Sequence, residues 1–584
     1  MGEDRPINTP IFKKAIGEIL QTLKPHQKKC FQCDEVFDIF EEDINFYKIF
    51  QVPPPTLCPN CRLQRRMGYR LNFIPAFYRK TCSAPGHQEK LISIYSEQNP
   101  VKVFDSDFYS SDKWDSLDYG QEYNFEQPFF KQFHDLSLIA PYPAIHRDFR
   151  NINCEYTTGG ISAKNCYIVG VPFESEDVYY SSVPASCRNC LDIADSKSCE
   201  RCYDSVQLEN CYNCNFCYEC LNCLDSVFLY DCRNCQHCFG CVNLRNKKYC
   251  FFNQQLNKED YENKIKKINL GSRRILQEYR ARFFELFTQA IKRGVSNIKT
   301  EKSLGDLLDN CRNCFHCFSV LMGPSENSRY IVSAGKINDS MDISGGSNFS
   351  LCYESGGLTS STKIKFSLRM RGSNLDCEYC FECTDCEYCF GCFSLRNKKF
   401  CVFNKQYSEA GYWQLVDKIK TQMLERKEYG EFFPLANSPC AYQDSDAQIE
   451  FPLAKEKITK NGWHQQEEIK SDLDLTKLKV LKPEQVPDDI ADVTDDILSM
   501  AILCEQTGKP FRIMPFELEF YRKKNLPLPV IQSLQRMRNR LAFRRHWRLW
   551  QQPCSNCKQT THSSWDPAKN YKVYCEPCYL KEIV

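Results

Sequence analysis

Small apolar residues recur with a period of three between Cys187 and Cys250. This stretch holds fourteen cysteines, and neighbouring cysteines are always three or nine residues apart, so all fourteen share one phase. An α-helix falls about 60° short of a full turn every three residues, and a β-strand repeats every two, so neither keeps these thiols on one face. A 3₁₀ helix would align them, but such helices rarely exceed a few residues. The period therefore indicates an architecture other than a single helix or strand.

Three arrangements remain for this period. The first is a β-solenoid with short coils whose lengths are multiples of three, where cysteines stack as small apolar side chains in a narrow core. The second is a series of zinc knuckles, in which each Cys-x2-Cys pair supplies half a site. The third is a ladder of disulfide bonds. We favour the solenoid, because strand-like segments such as LDSVF and YDSVQ recur between small or acidic corners.

The chain also repeats itself on a larger scale. Residues 232–261 realign without a gap on residues 383–412, at an offset of 151 residues. The duplication predicts two cysteine-rich β-solenoid-like blocks, at residues 151–256 and 306–407. Cys352 falls outside the phase of the second block. The cysteines that share that phase are Cys311, Cys314, Cys317 and the seven from Cys377 to Cys401.

A helical pattern follows each block. Asn257 can cap a helix after the first block, and Ser408 stands at the same place after the second. We therefore predict a helical segment over residues 257–305 and a helix over residues 408–433. The apolar stripes that indicate them are Tyr261, Ile265 and Ile268 in the first segment and Tyr412, Val416, Ile419 and Met423 in the second.

Two sets of paired cysteines lie near the ends of the chain. Each set has the Cys-x2-Cys … Cys-x2-Cys spacing of a tetrahedral zinc site, and four thiolates leave no open position for catalysis. The first set predicts a treble-clef-like domain over residues 1–81, where FDIFEEDINFY alternates like a pair of strands and a helix follows Cys58. The second predicts a C-terminal zinc ribbon over residues 551–584. The predicted ligands of these two structural zinc sites are Cys30, Cys33, Cys58, Cys61, Cys554, Cys557, Cys575 and Cys578.

The first zinc domain has an altered copy later in the chain. Residues 504–540 realign with residues 30–66 at an offset of 474 residues. Thr507, Gln532 and Gln535 replace three of the four cysteines, and one thiol cannot hold a zinc ion. We predict that this degenerate copy, over residues 491–550, is free of metal and is held by its apolar contacts alone.

Two further regions carry weaker signals. Residues 82–150 are aromatic and acidic, and we expect a small cap domain there. Cys82 and His87 of this region are interpreted as ordinary packed or surface residues. Residues 434–490 turn polar and contain prolines, which predicts a linker.

Composition and charge restrict the setting of the protein. The net charge is only +2 over 584 residues, so the chain as a whole has no nucleic-acid or acidic-partner signal. No apolar stretch approaches the roughly 18 residues of a membrane span, and the acidic start lacks the apolar core of a signal peptide. We therefore expect a cytoplasmic protein whose 38 cysteines are reduced and act as metal ligands or packed thiols.

These features predict a zinc-binding, non-enzymatic scaffold or interaction protein. No spacing suggests a nucleophile with its base or a pair of catalytic carboxylates, and no small-molecule substrate or membrane partner is evident. The partner would be protein or nucleic acid, and nucleic acid is considered because basic residues lie among aromatic ones in two places. The alternative is an Fe–S or dithiol redox protein that transfers electrons through the CxxC arrays. The candidate nucleic-acid contacts are Arg62, Arg65, Arg66, Arg544 and Arg545.

Several motifs resemble known families. The stretch CFQC…NFYKIFQVPPPTLCPNCRLQRR resembles bacterial zinc-ribbon families, and the tail CSNC…YKVYCEPCY is similar to a short zinc ribbon that ends in VYCxxCY. SSDKWDSLDYG, FGCVNLRNKKYC and FELEFYRKKNLPLP extend a resemblance to cysteine-rich zinc-ribbon proteins of uncultured bacteria over most of the chain. Some of that group are labelled CaiB/BaiF-like CoA-transferases, an activity that these residues do not support. The resemblance implies zinc binding and no particular activity.

Overall fold

The computed structural model describes residues 8–70, 72–466 and 478–584. Within these ranges the chain forms thirteen α-helices and two large sheets of ten strands each, beside smaller sheets of two and three strands. The multidomain, strand-rich organisation expected from the sequence is confirmed at this level. None of the helices in these ranges is long and apolar enough to cross a membrane.

The region before the first large sheet consists of short helices and hairpins. β1 pairs with β2 and β3 with β4 in antiparallel hairpins, and β5 pairs in parallel with β6. The elements are α1 (Pro10–Thr22), β1 (His26–Lys29), β2 (Val36–Ile39), α2 (Glu41–Phe50), α3 (Pro59–Met67), β3 (Tyr78–Thr81), β4 (Lys90–Ser93), β5 (Val103–Phe104), α4 (Ser106–Ser110), α5 (Phe129–Ile139) and β6 (Tyr142–Pro143).

The first large sheet, which we call array 1 (residues 152–255), is a ladder of parallel strands. Its strands are β7 (Tyr156–Thr158), β8 (Tyr167–Gly170), β9 (Glu176–Ser182), β10 (Arg188–Ala194), β11 (Tyr203–Val206), β12 (Asn215–Tyr218), β13 (Val227–Tyr230), β14 (Phe239–Val242), β15 (Cys250–Phe251) and β16 (Gln254–Gln255). From β8 to β15 each strand pairs with the next at an offset of twelve residues, as Tyr167 does with Tyr179 and Leu191 with Tyr203. The last pair is antiparallel, so the sheet is mixed.

The second large sheet, array 2 (residues 298–406), repeats this plan. It is reached through α6 (Lys258–Ile265), α7 (Arg273–Gln289) and β17 (Ile291–Arg293). It also ends in an antiparallel pair. Its strands are β18 (Leu304–Leu308), β19 (Cys311–Leu321), β20 (Ser325–Asn338), β21 (Met341–Ser350), β22 (Tyr353–Thr359), β23 (Thr362–Lys365), β24 (Leu375–Glu378), β25 (Glu387–Phe390), β26 (Lys399–Val402) and β27 (Lys405–Gln406).

Two insertions explain why Cys352 leaves the cysteine period. Cys311 pairs with Ser325, an offset of fourteen, and Thr362 pairs with Leu375, an offset of thirteen, whereas the pairs between these two steps keep twelve. The insertions add three residues in total, so the phase is restored after Cys352. The Cys352 side chain nevertheless belongs to the same buried cluster as the other cysteines of array 2.

The rest of the chain returns to short elements. The predicted helix caps are confirmed, since the side chains of Asn257 and Ser408 accept from the backbone of Asp260 and Gly411. The remaining elements are α8 (Glu409–Glu425), α9 (Ala447–Glu450), α10 (Lys455–Lys460), β28 (Val480–Leu481), β29 (Ala501–Leu503), β30 (Pro510–Phe511), α11 (Pro515–Lys524), α12 (Ser533–Leu541), β31 (Trp550–Pro553), β32 (Thr560–Ser563), β33 (Lys572–Tyr574) and α13 (Glu576–Ile583).

The backbone of the arrays turns in a left-handed conformation at regular intervals. Between Ser162 and Phe252 every third residue has a positive φ, from 43° to 68°. This conformation costs most residues about 1–2 kcal/mol and is easiest for glycine, asparagine and aspartate. At three such corners Asn210, Asn222 and Asn234 each donate a side-chain hydrogen bond to the asparagine twelve residues further on, at 2.9–3.2 Å. The residue after each corner faces the interior, which places the cysteines in one buried cluster.

Two equivalent helices, one near each end of the chain, each dock on the array that lies farther from them in the sequence. α3 lies against β21 and β22 of array 2, whereas α12, its counterpart in the degenerate copy, lies against β9, β10 and β11 of array 1. Arg62 donates from Nε to Asp342 at 2.9 Å, and the equivalent Arg536 donates to Asp192 at 2.8 Å. Burial opposes the charge of both arginines, but the aspartates outweigh it and raise the pKa of both guanidinium groups well above the usual value. Each helix is therefore fixed to its array by a buried ion pair.

Two sequence expectations need correction here. Residues 41–50 form helix α2 rather than a strand, because the Asp43 side chain caps the Phe40 N–H and Ile44, Tyr47 and Phe50 share one buried face. The first part of the predicted linker is packed rather than extended, since Tyr442, Ala447 and Ile458 are buried. Residues 467–477 of that prediction lie outside the described residues.

We predict that Asp192→Ala destabilises the protein by about 3–5 kcal/mol, because it leaves the buried Arg536 and Arg540 without their shared carboxylate. The matched control is Glu519→Ala, which removes the exposed ion pair with Lys523 and should leave the unfolding midpoint nearly unchanged. Urea unfolding monitored by circular dichroism compares the two variants. Equal unfolding midpoints would contradict the prediction.

Candidate metal centres

The first four-cysteine group is assembled where β1 meets the start of α3. Cys30 directly follows β1, Cys58 is the N-cap of α3, and Cys61 lies in the first turn of that helix. The four Sγ atoms of Cys30, Cys33, Cys58 and Cys61 all lie within 4.8 Å of one another. The N–H of Cys58 donates to Cys30 Sγ at 3.3 Å. The grouping fits a zinc-ribbon-like site.

The second group has the same plan at the other end of the chain. The Sγ atoms of Cys554, Cys557, Cys575 and Cys578 also lie within 4.8 Å of one another. Cys575 is the N-cap of α13, and its N–H donates to Cys554 Sγ at 3.3 Å. The helix–N-cap position therefore supplies a ligand in both groups. The eight cysteines named from the sequence are brought together in the two predicted sets.

In each group the pKa of one thiol is lowered, whereas the pKa values of Cys33, Cys61, Cys575 and Cys578 are raised by burial and by the neighbouring thiols. The hydrogen bond from Cys61, helped by backbone N–H groups, lowers the pKa of Cys58 to about 5. At the other site burial opposes ionisation, but backbone N–H groups of Cys575 and Cys557 lower the pKa of Cys554 to about 6. A thiolate is the form of cysteine that binds a metal. Both groups can therefore bind a soft or borderline divalent cation at neutral pH.

In the degenerate copy, hydrogen-bonded side chains occupy the positions of the missing cysteines. The N–H of Gln532 donates to Cys504 Sγ at 3.4 Å, which matches the Cys58 to Cys30 bond of the first group. Gln532 Nε2 also donates to Thr507 Oγ1 at 3.0 Å, at positions where the first group has two cysteines. The prediction that apolar contacts alone hold this copy is therefore wrong, because a polar bridge closes the site as well.

The arginines expected to contact nucleic acid are buried, with exposed fractions between 1% and 8%. Their guanidinium groups bind carboxylates of the arrays and of nearby segments. The expected contact of these arginines with nucleic acid is not shown, because carboxylates within the protein already neutralise their guanidinium groups. The pairs are Arg62 and Arg66 with Asp342, Arg65 with Glu354 and Glu431, Arg544 with Asp195 and Glu450, and Arg545 with Glu219 and Asp306.

The array cysteines behave like the serines that share their rows. Cys187 Sγ donates to the carbonyl oxygens of Ala185 and Ser196, both at 3.4 Å. Ser175, one coil earlier, donates to the equivalent carbonyl groups of Phe173 and Pro184 at 2.8 and 3.3 Å. Among the described residues no group of three or more ligand atoms within 4.8 Å includes an array cysteine. Both residues fill these rows with a small side chain that donates a hydrogen bond, beside apolar residues such as Ile193 and Leu229.

A third group was missed by sequence reasoning. Cys82, His87 and Glu89 each bring one ligand atom within 4.8 Å of the others. Cys82 is buried, whereas His87 and Glu89 are partly to largely exposed on the turn between β3 and β4, and His87 Nδ1 lies 2.8 Å from Glu89 Oε1. The sequence analysis named Cys82 and His87 but interpreted them as ordinary packed or surface residues, because an isolated cysteine and histidine are usually that and Cys-x4-His-x-Glu is not a familiar zinc signature.

Comparisons with known proteins assign no family to this chain. No protein-family model matches it, and no curated protein matches it. A crystal structure titled "putative acetyltransferase from Desulfovibrio desulfuricans G20" aligns with 48% of this chain and 81% of its own, at 10% sequence identity and a TM-score of 0.10. A likeness of that size carries no argument about fold or function.

We predict that Cys58→Ser and Cys554→Ser each remove one metal ion per chain, because each leaves three ligands where a closed tetrahedral site needs four. Elemental analysis of the purified variants measures the loss. Cys440→Ser is the control, since Cys440 is buried but lies in no ligand group. Unchanged metal content in either ligand variant would contradict that site.

We also predict that the triple variant Thr507→Cys, Gln532→Cys, Gln535→Cys gains one metal ion per chain. The backbone bond from residue 532 to Cys504 Sγ already matches that of the first group, so restored thiols should converge. The same analysis checks this, with Thr507→Ser as the control. A metal content equal to that of the wild type would show that the copy has lost more than its ligands.

Proposed function

We propose that this protein is a zinc-binding, non-enzymatic scaffold in which two metal modules clamp two β-solenoids. The observation that carries the proposal is the pair of four-cysteine groups. Zinc is the preferred cation, because four thiolates at tetrahedral spacing are its usual structural set and leave no position for a substrate. We place the scaffold in the cytoplasm, where zinc-binding thiols stay reduced.

The solenoid assignment is supported by the register of the arrays. A parallel offset of twelve residues with a left-handed corner every third residue divides each coil into four sides of three residues. Bridges such as Glu200–Tyr212 and Tyr212–Leu224 continue the same offset outside the strands. This arrangement accounts for the period of three without metal in the rows, since one inward residue per side is what a narrow core admits.

The metal groups are placed to hold helices onto these solenoids. α3 begins at Cys58, and the same helix carries Arg62 to the buried Asp342 of array 2. α13 begins at Cys575, and its Tyr579 donates to Asp231 of array 1 at 2.5 Å. A zinc ion that fixes the first turn of each helix therefore also fixes the contact between module and array. Metal binding in such small modules contributes folding free energy directly.

No contact of the array cysteines, all of which lie in the described part of the chain, supports the redox alternative. Fe–S clusters need several converging thiolates, and the array thiols instead donate to backbone carbonyl groups. Burial also keeps them from exchange partners, since all but four of the 38 cysteines are buried. The arrays are better explained as packed thiols that shape a surface for a protein partner.

We predict that a zinc chelator makes the eight cysteines of the two four-cysteine groups reactive towards a maleimide, while the array thiols stay unreactive. The array thiols should react only after unfolding in urea, because their burial depends on the coil register rather than on metal. Mass spectrometry of labelled peptides separates the two classes, and labelling without chelator is the control. Array labelling at the same rate as ligand labelling, or iron in the protein as purified, would overturn the scaffold proposal.

A further inference from the structure

The hairpin around Cys82 has the backbone plan of the metal modules. In four hairpins the backbone N–H of a cysteine donates to a backbone carbonyl group on the far side of a tight turn. Each of these turns contains a left-handed residue. Cys30 donates to Glu35, Cys504 to Lys509, Cys554 to Gln559 and Cys82 to Glu89, at 2.8–3.0 Å. The left-handed residues are Asp34, Gly508, Lys558 and Gly86.

A second hydrogen bond is also common to the four places. The residue after each cysteine donates to the strand or loop that leads into the next helix. Phe31 donates to Thr56, Glu505 to Val530, Ser555 to Val573 and Ser83 to Val103, at 2.7–3.1 Å. Each following helix then begins at an equivalent N-cap, namely Cys58, Gln532, Cys575 and Asp105.

The sequence of the Cys82 hairpin and its following helix also aligns with that of the C-terminal module. VFDSDFY at residues 103–109 aligns with VYCEPCY at residues 573–579, and the pair Cys82-Ser83 aligns with Cys554-Ser555. In this alignment Asp105 and Phe108 stand in place of Cys575 and Cys578. The loop after Cys82 is two residues longer than the loop after Cys554, which moves the position of a second ligand.

The longer loop supplies new ligand atoms. His87 and Glu89 converge with Cys82 within 4.8 Å, on the side where the other modules have their metal group. Phe108 lies against the His87 ring at a centroid distance of 5.0 Å, so the site has one apolar wall. The degenerate copy differs in this respect, because Gln532 and Thr507 bond to each other and offer no such set.

We propose that Cys82, His87 and Glu89 bind a third zinc ion. Thiolate, imidazole and carboxylate are all zinc ligands, and three protein donors leave a fourth position for water or for a ligand from a partner. Such a site differs from the two four-thiolate groups in keeping an open position. It is independent of the two four-thiolate sites, so its failure would leave the proposed scaffold intact.

The test is the zinc content of the full-length protein after equilibration with zinc and desalting. The wild type should retain three zinc ions per chain, and His87→Ala with Glu89→Ala should retain two. These two side chains are exposed enough that their removal should leave the fold unchanged, which circular dichroism verifies. Cys82→Ser should give the same loss, whereas Cys504→Ser, the equivalent change in the degenerate copy, should lose none.

Stepwise chelation gives a second readout. One zinc ion of the wild type should leave before the other two, because its site has one thiolate rather than four, and this early step should be absent from the His87→Ala, Glu89→Ala variant. Two zinc ions in the wild type, or three that persist in the double variant, would overturn the proposal. Loss of zinc in Cys58→Ser and Cys554→Ser reports separately on the closed sites.

Discussion

The twelve-residue register of the arrays is the constraint on which the rest of the structure depends. The left-handed residue at every third position turns the next side chain inward, and the buried rows hold cysteine and serine beside apolar residues such as Leu229. Cysteine and serine suit these rows because each can donate to a carbonyl group of its own or the next twelve-residue repeat. The two insertions of array 2 together add three residues and so restore the phase.

The corners also determine how the modules dock. Asp192 and Asp342 occupy left-handed corners, where an aspartate is tolerated and its carboxylate projects from the coil. Asp192 pairs with Arg536 of α12, and Asp342 pairs with Arg62 of α3. Each array is therefore bound by the helix that lies farther from it in the sequence, and the two halves of the chain are interlocked. Phe73 and Trp547, which are equivalent in the 474-residue alignment, meet at a ring distance of 5.5 Å between the two docked modules. Buried carboxylates neutralise the arginines inside this interface. The arginine-rich helices therefore do not present a basic surface.

The sequence was sufficient for those features that depend on local spacing. The period of three, the two four-cysteine groups and the helix caps at Asn257 and Ser408 are all visible as patterns. Helix α2 was mistaken for strands because its apolar residues also alternate over a short window, and only the cap at Asp43 and the packing of Ile44 and Tyr47 decide between the two. The burial of Arg62 and Arg545 could not be read from sequence, since their partners lie hundreds of residues away. The Cys82 module was missed because its ligand types and its loop length had both changed.

The loss of ligands is compatible with this docking. Each array carries one pair of modules, and each pair retains one four-thiolate group: the first module on array 2, and the last module on array 1. A buried arginine–aspartate pair fixes α3 as well as α12, so both modules are docked whether or not four thiols are present. Tyr109 with Ser394 provides a contact for the Cys82 module. These docking contacts are separate from the ligand positions, so a changed set such as Cys82, His87 and Glu89 is compatible with docking.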